Sequence, residues 1–161
     1  MDDRAVVERQ LGRPPRALRR VAVRCPWGRP AVTEQAPFDE RGEPFPTTYY
    51  VTCPHLVAAI ARLEAAGGVE RWTRSARDDA VLAASLERAN EQQRRLRREL
   101  AGGAEGPGLD LGIGGSSRSG SLKCLHAHAA FALARPGYAL GERILAEVGP
   151  LWPEGRCCTD L

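Results

Sequence analysis

Apolar residues in the first third of the chain fall mostly at the two-residue spacing of strands, and later ones recur at helical spacing. Residues 5–11 form one or two helical turns, with Val6, Val7 and Leu11 available to a core. Gly12-Arg-Pro-Pro-Arg16 ends them, because consecutive prolines force an extended path. Residues 18–24 alternate as a strand, with Val21 and Val23 on one face. Cys25-Pro-Trp-Gly-Arg-Pro30 reads as a turn, 31–36 as a weaker second strand, and 37–46 as a polar connection pinned by Phe38 and Phe45. Residues 47–52 are all β-branched or aromatic and give the strongest strand signal. Connections of hairpin length join the three, which predicts a small antiparallel sheet of about three strands.

Leu56, Ile60 and Leu63 make the apolar stripe of a helix over 55–66. Pro54 suits its first position and places Cys53 at the N-cap, while Gly67-Gly68 stops it. Ser75 is expected to cap a long helix over 78–100, opening at Asp78 on the acidic side of a helix start. Its stripe is Leu82, Leu86, Ala89, Gln93, Leu96 and Leu100, and its second half is strongly charged. It reads as a solvated arm whose thin stripe offers a docking face for a protein partner. Residues 101–120 hold eight glycines and one proline and are expected to be a flexible loop. A helix over 121–134, apolar on almost every side, is closed by Arg135-Pro-Gly137. A short helix over 141–148 and a tail over 150–161 complete the chain. The expected fold is α+β: one domain over 1–161, a three-stranded sheet packed by helices, one long charged helix and a Gly-rich loop.

Composition narrows the function. The chain has 161 residues, 43% hydrophobic and 27% charged, which is ordinary for a globular domain. A net charge of +3 gives no strong nucleic-acid signal. Lys123 is the only lysine among 23 basic residues, and a lysine's pKa is readily moved by its surroundings. The first ten residues lack the apolar core of a signal peptide, and no apolar run is long enough to span a membrane. A cytoplasmic location is therefore expected. In that compartment five cysteines are buried thiols, metal ligands or reactive groups rather than a disulfide framework.

Cys25, Cys53 and Cys124 each lie at an element junction, where helix or turn amides favour a thiolate. There is no C-x-x-C pair, so any metal site must be assembled from distant segments. In a helix running from Ser121, Cys124 and His128 share a face and His126 points away. His55 reads as structural. The stretch from Gly115 to Leu122 fails the P-loop pattern, since Ser121 and Leu122 stand where Lys and Ser or Thr are required. A helix start at Ser121, near Arg118 and Lys123, would still suit a small anion or phosphate.

Leu11-Gly-Arg-Pro-Pro-Arg16, Arg24-Cys-Pro-Trp-Gly-Arg-Pro30, Pro46-Thr-Thr-Tyr-Tyr-Val-Thr-Cys-Pro54 and Lys123-Cys-Leu-His-Ala127 together resemble the bacterial, mainly actinobacterial, Domain of Unknown Function 501 family. The resemblance implies no reaction. Its gene neighbourhood implies a link to phosphate metabolism or cell division. It places the family's motif cysteines on Cys25, Cys53 and Cys124 and its motif histidine on His126. Gly155-Arg-Cys157 after Trp152 adds Cys157 as a further thiol, with Cys158 incidental. The function expected from sequence is a Cys/His site in which Cys25, Cys53, Cys124, Cys157 and His126 bind zinc or an iron–sulfur cluster. An open position would give Lys123 or His126 a catalytic role. The alternatives are a metal-free adaptor docking through the 78–100 helix, and a thiol enzyme with His126 as base.

Overall fold

The computed structural model describes residues 2–117, 120 and 122–160. Its first helix, α1 (Asp3–Leu11), is capped by Asp2, whose side chain accepts from the Arg4 amide, and ends at Gly12 with φ 71°. Strands β1 (Leu18–Arg24), β2 (Pro30–Gln35) and β3 (Tyr49–Val51) form an antiparallel sheet in that order. Thr33 of the central strand lies opposite Val21 on one side and Tyr50 on the other. Every residue of β2 is buried. Its Glu34 is tolerated there because the guanidinium groups of Arg19 and Arg20 cover it at 3.0 and 2.7 Å. The α+β class and the three strands match the sequence expectation; β3 is shorter than the predicted 47–52.

Helix α2 (Pro54–Ala65) follows β3 directly, with Cys53 at its N-cap and Pro54 in its first turn, as the sequence predicts. The next stretch corrects the sequence reading. Gly67-Gly68 stops α2 but also starts a new helix, α3 (Gly68–Asp78). Gly67 turns the chain at φ 83°, and a Cβ at Gly68 would sit 2.6 Å from the Leu63 carbonyl oxygen. A glycine pair can serve both ends of such a corner. Ser75 lies inside α3, so it caps nothing; Asp79 caps α4 (Ala80–Ala101) through the amides of Val81 and Leu82 at 2.9 and 3.2 Å.

Helix α5 (Leu125–Ala134) lies at the centre of the molecule, which explains why its sequence is apolar all round. Phe131 meets the ring of Tyr49 on the sheet edge-on at 5.7 Å, and the ring of Tyr138 at the same distance. Helix α6 (Ala139–Val148) packs against α5 so closely that a Cβ on Gly141 would lie 2.7 Å from the Ala132 methyl. Among the described residues no helix is long and apolar enough to cross a membrane.

The stripe of α4 is covered within the chain. Leu82, Leu86, Ala89, Gln93 and Leu96 are buried and Leu100 is half-buried, so the stripe offers no exposed apolar face to a partner helix; the exposed Val81 lies on α4 but outside the stripe. The stripe faces inward because its polar members hold the glycine-rich stretch. Gln93 Nε2 donates to the Gly112 carbonyl at 2.7 Å, and Asn90 Oδ1 accepts from the Ile113 amide at 2.9 Å. Arg97 is 0% exposed and, among the described residues, has no carboxylate within ion-pair distance. Its guanidinium donates to the carbonyls of Gly108 and Phe45, both at 2.9 Å, and to Thr48 Oγ1 at 3.1 Å. The described part of 101–120 is thus strapped to α4 and to the connection before β3. Replacing Arg97 with Ala would take a donor from the buried Thr48 hydroxyl and from the half-buried Phe45 and Gly108 carbonyls, and should cost about 3 kcal/mol in urea unfolding. A loss under about 0.5 kcal/mol, the range of ordinary surface changes, would show that the strap carries no stability.

Candidate metal centre

The site lies where the last turn of α2 meets the first turn of α5. Helix α5 begins at Leu125 rather than Ser121, because the preceding three residues make a tight turn. The Cys124 amide donates to the Leu122 carbonyl at 2.6 Å, and Lys123 between them sits at φ 63°. Lys123 is the one non-glycine residue with positive φ among the described residues. Such a backbone costs roughly 1–2 kcal/mol for a residue with a Cβ. The fully buried Leu122 side chain anchors the turn, and the Lys123 ammonium donates to the Gly115 carbonyl at 3.3 Å.

This turn overturns the facing argument made from helical spacing. Cys124 is the N-cap, extended at φ −152°, so the 100° per residue of a helix does not apply between it and His126. Its sulfur and the His126 imidazole share one site with Glu64 of α2, their ligand atoms all within 4.8 Å of one another. The carboxylate is fixed at both oxygens. Oε2 accepts from the Leu125 amide at 2.7 Å, and Oε1 lies 3.1 Å from His126 Nδ1. The other ring nitrogen, Nε2, lies 3.1 Å from the Val57 carbonyl. A carbonyl can only accept, so Nε2 carries a proton and Nδ1 is the nitrogen turned toward Glu64 and Cys124. Burial works against a charged His126, but the Cys124 side chain, the Val57 carbonyl and the Glu64 carboxylate outweigh it and hold its pKa up at about 9.

Cys124 and His126 line a cavity of about 520 Å³, with Thr47, Tyr49, Tyr50 and Val57 among its other walls. That volume suits a small metabolite. Thiol, imidazole and carboxylate are all divalent-metal ligands.

The other predicted residues lie elsewhere. His128 is fully buried; Nε2 donates to the Leu122 carbonyl at 2.9 Å and Nδ1 accepts from the Tyr138 hydroxyl at 2.8 Å. Burial, opposed by the Leu122 carbonyl, pushes its pKa down to about 4. It is a neutral core residue. Cys25 Sγ lies 3.9 Å from Cys157 Sγ, and Cys53 Sγ lies 3.7 Å from Cys158 Sγ. Cys158, read from sequence as incidental, is therefore a partner of Cys53. Among the described residues, no three of these four sulfurs lie mutually within 4.8 Å, and none of the four joins the Glu64 group. The five residues expected to converge are thus split between separate places. Arg118 and Ser121, two of the three residues of the expected anion site, lie outside the described residues. Glu64 went unread in the sequence, yet one signal marks it: an acid in the last turn of a helix opposes the helix dipole.

Proton titration followed by NMR should show His126 charged up to about pH 9 and His128 neutral down to about pH 4 in metal-free protein. The raised His126 contributes stability that is complete below the unfolded value of about 6.5 and is lost as pH rises through 9. The lowered His128 contributes stability that is complete above about 6.5 and is lost as pH falls towards 4. The two contributions together should peak near pH 6.5 in pH-dependent unfolding. Lys123→Gly should relieve the turn and raise stability by about 0.5–1 kcal/mol in the same measurement, after the extra chain entropy of glycine. A loss larger than that of Lys123→Ala, which removes the same ammonium contact to Gly115, would mean that the turn is not strained.

The model of one family, described as "Protein of unknown function (DUF501)", matches residues 21–146, which include Glu64, Cys124 and His126 and leave out Cys157 and Cys158. No curated protein and no solved structure matches the chain. The match spans most of the chain, and the protein therefore belongs to the DUF501 family.

Proposed function

We propose that this chain binds one divalent metal ion of the zinc class through Glu64 Oε1, Cys124 Sγ and His126 Nδ1, with a further coordination position open to the 520 Å³ cavity. The observation that carries the reading is the second set of contacts around the cluster. Nε2–H is tied to the Val57 carbonyl, and Oε2 is tied to the Leu125 amide. Those are the outer bonds that orient ligating imidazole and carboxylate groups, and they leave Nδ1 and Oε1 turned toward the sulfur. One thiolate and one carboxylate also neutralise a divalent ion. A mixed donor set of one sulfur suits zinc, whereas an iron–sulfur cluster calls for more thiolates than this group contains. Three protein ligands with an open position are the pattern of catalytic zinc, which polarises a carbonyl or phosphoryl oxygen as a Lewis acid. The Lys123 ammonium is engaged with Gly115, so His126 and Cys124 are the predicted groups that meet a cavity ligand.

A metal-free thiol chemistry has one observation in its favour, the charged His126 held beside Cys124. It is the weaker reading, because the nitrogen that faces Cys124, Nδ1, also faces the Glu64 carboxylate, which competes with the thiol for its proton.

Protein purified without oxygen or chelator should hold about one equivalent of zinc by elemental analysis. Cys124→Ala and His126→Ala should each lower that content to a small fraction. Glu64→Gln should weaken affinity about 10–100-fold. Binding displaces the His126 proton and requires Cys124 as thiolate, so affinity should rise at least about tenfold per pH unit up to about pH 9. Metal-free protein that gains no zinc on titration, but whose Cys124 alkylates fast and slows on His126→Ala, would favour the thiol chemistry instead.

A further inference from the structure

The C-terminal segment closes over the end of the sheet where both Cys-Pro turns lie. Gln10 Nε2 of α1 donates to Thr159 Oγ1 at 3.1 Å, and Arg29 of the β1–β2 turn pairs with Asp160 at 2.6 Å. Between these ties, consecutive cysteines reach two different partners. Cys157 faces Cys25 of the β1–β2 turn, and Cys158 faces Cys53 at the N-cap of α2. A disulfide needs sulfurs about 2.05 Å apart, so the 3.7 Å of Cys53 and Cys158 must close by about 1.7 Å. The two pairs differ in access. Cys25 and Cys157 are both buried, whereas Cys158 is partly exposed. Burial and the neighbouring Cys158 push the Cys53 thiol up to about 11, against the pull of nearby amides, so the partly exposed Cys158 rather than Cys53 opens the attack.

We infer that Cys53 and Cys158 form a redox latch, which a low-molecular-weight disulfide closes and a thiol reopens, fastening the C-terminal segment to the start of α2. In the first step the Cys158 thiolate attacks the reagent disulfide, forming a mixed disulfide and releasing one reagent thiol. In the second the Cys53 thiolate attacks Cys158 Sγ, forming the intramolecular bond and releasing the other reagent thiol. The protein loses two protons and two electrons, and the reagent takes up both. The latch bears on the metal centre through α2. Pro54, next to Cys53, lines the cavity, and Val57 one turn later holds His126. It does not rest on the metal reading, because neither cysteine belongs to the Glu64 group.

The test is to incubate reduced full-length protein with oxidised glutathione, quench in acid, alkylate, and count thiols by intact mass before mapping peptides. The latch predicts loss of two of the five thiols, a Cys53–Cys158 linked peptide, reversal by dithiothreitol, and no link in Cys158→Ser. Cys124→Ser should keep the link. A lasting glutathione adduct on Cys158, a link through Cys124, or loss of four thiols in one step would overturn it. So would a metal equivalent that survives Cys124→Ser and is lost in Cys158→Ser, since those thiols would then be ligands.

Discussion

The Glu64 carboxylate is the contact on which the rest of the site depends. It stands in the last turn of α2, where the helix dipole disfavours an acid, and it is offset by the positive end of α5, whose first amide it receives at 2.7 Å. One oxygen thus joins two helices, and the other faces His126. Without the carboxylate the Leu125 amide loses its acceptor and His126 loses the anion that helps keep it charged. Helix packing and site chemistry are set by the same three atoms. That is why Glu64→Gln, which keeps an acceptor for the amide, separates the chemical role from the structural one.

Two histidines two residues apart on one helix show how far surroundings decide chemistry. His126 is turned toward a thiol, a carboxylate and a carbonyl, and its pKa is about 9. His128 is enclosed, with a carbonyl on one nitrogen and a hydroxyl on the other, and its pKa is about 4. The buried polar groups of α4 follow the second pattern. Gln93 and Asn90 direct their hydrogen bonds to backbone groups of the glycine-rich stretch, and Arg97 joins that stretch at Gly108 to Phe45 and Thr48 before β3. A segment poor in side chains cannot pack itself, so the helix beside it supplies the polar contacts. Gly114, in this stretch, lines the cavity together with Val57, and the strap therefore positions the site as well as the fold.

Much of the fold is legible in the sequence, because alternation and helical spacing follow directly from what each element buries. The three strands, the Cys53 cap, the family and the α+β class all come from such local signals. Helix α3 was hidden because a glycine pair reads as a stop, and nothing local says that the chain resumes a helix at once. The stripe of α4 was read correctly as a face. What covers it is a tertiary fact, and Gln93 within it was the clue that the cover is polar. The site was half legible. Cys124 and His126 stand out by type and by the family motif, but their facing was misjudged, since a positive φ at Lys123 is invisible in sequence. Glu64 comes 60 residues before Cys124 and carries no motif, so only the fold brings it in. Likewise the pairing of Cys158 with Cys53 follows from the path of the tail, which local patterns do not encode.

The cysteines divide by place: one with the histidine and carboxylate at the cavity, four in two pairs that join the C-terminal segment to Cys25 and Cys53. The central claim is that the metal belongs to the first place. X-ray absorption at the zinc edge of the loaded protein addresses this most directly, because sulfur and nitrogen or oxygen ligands differ in distance. One sulfur at about 2.3 Å, with the remaining ligands nitrogen or oxygen at about 2.0–2.2 Å, is the predicted shell. A shell of three or four sulfurs would place the metal among Cys25, Cys53, Cys157 and Cys158 and contradict the assignment to Glu64, Cys124 and His126.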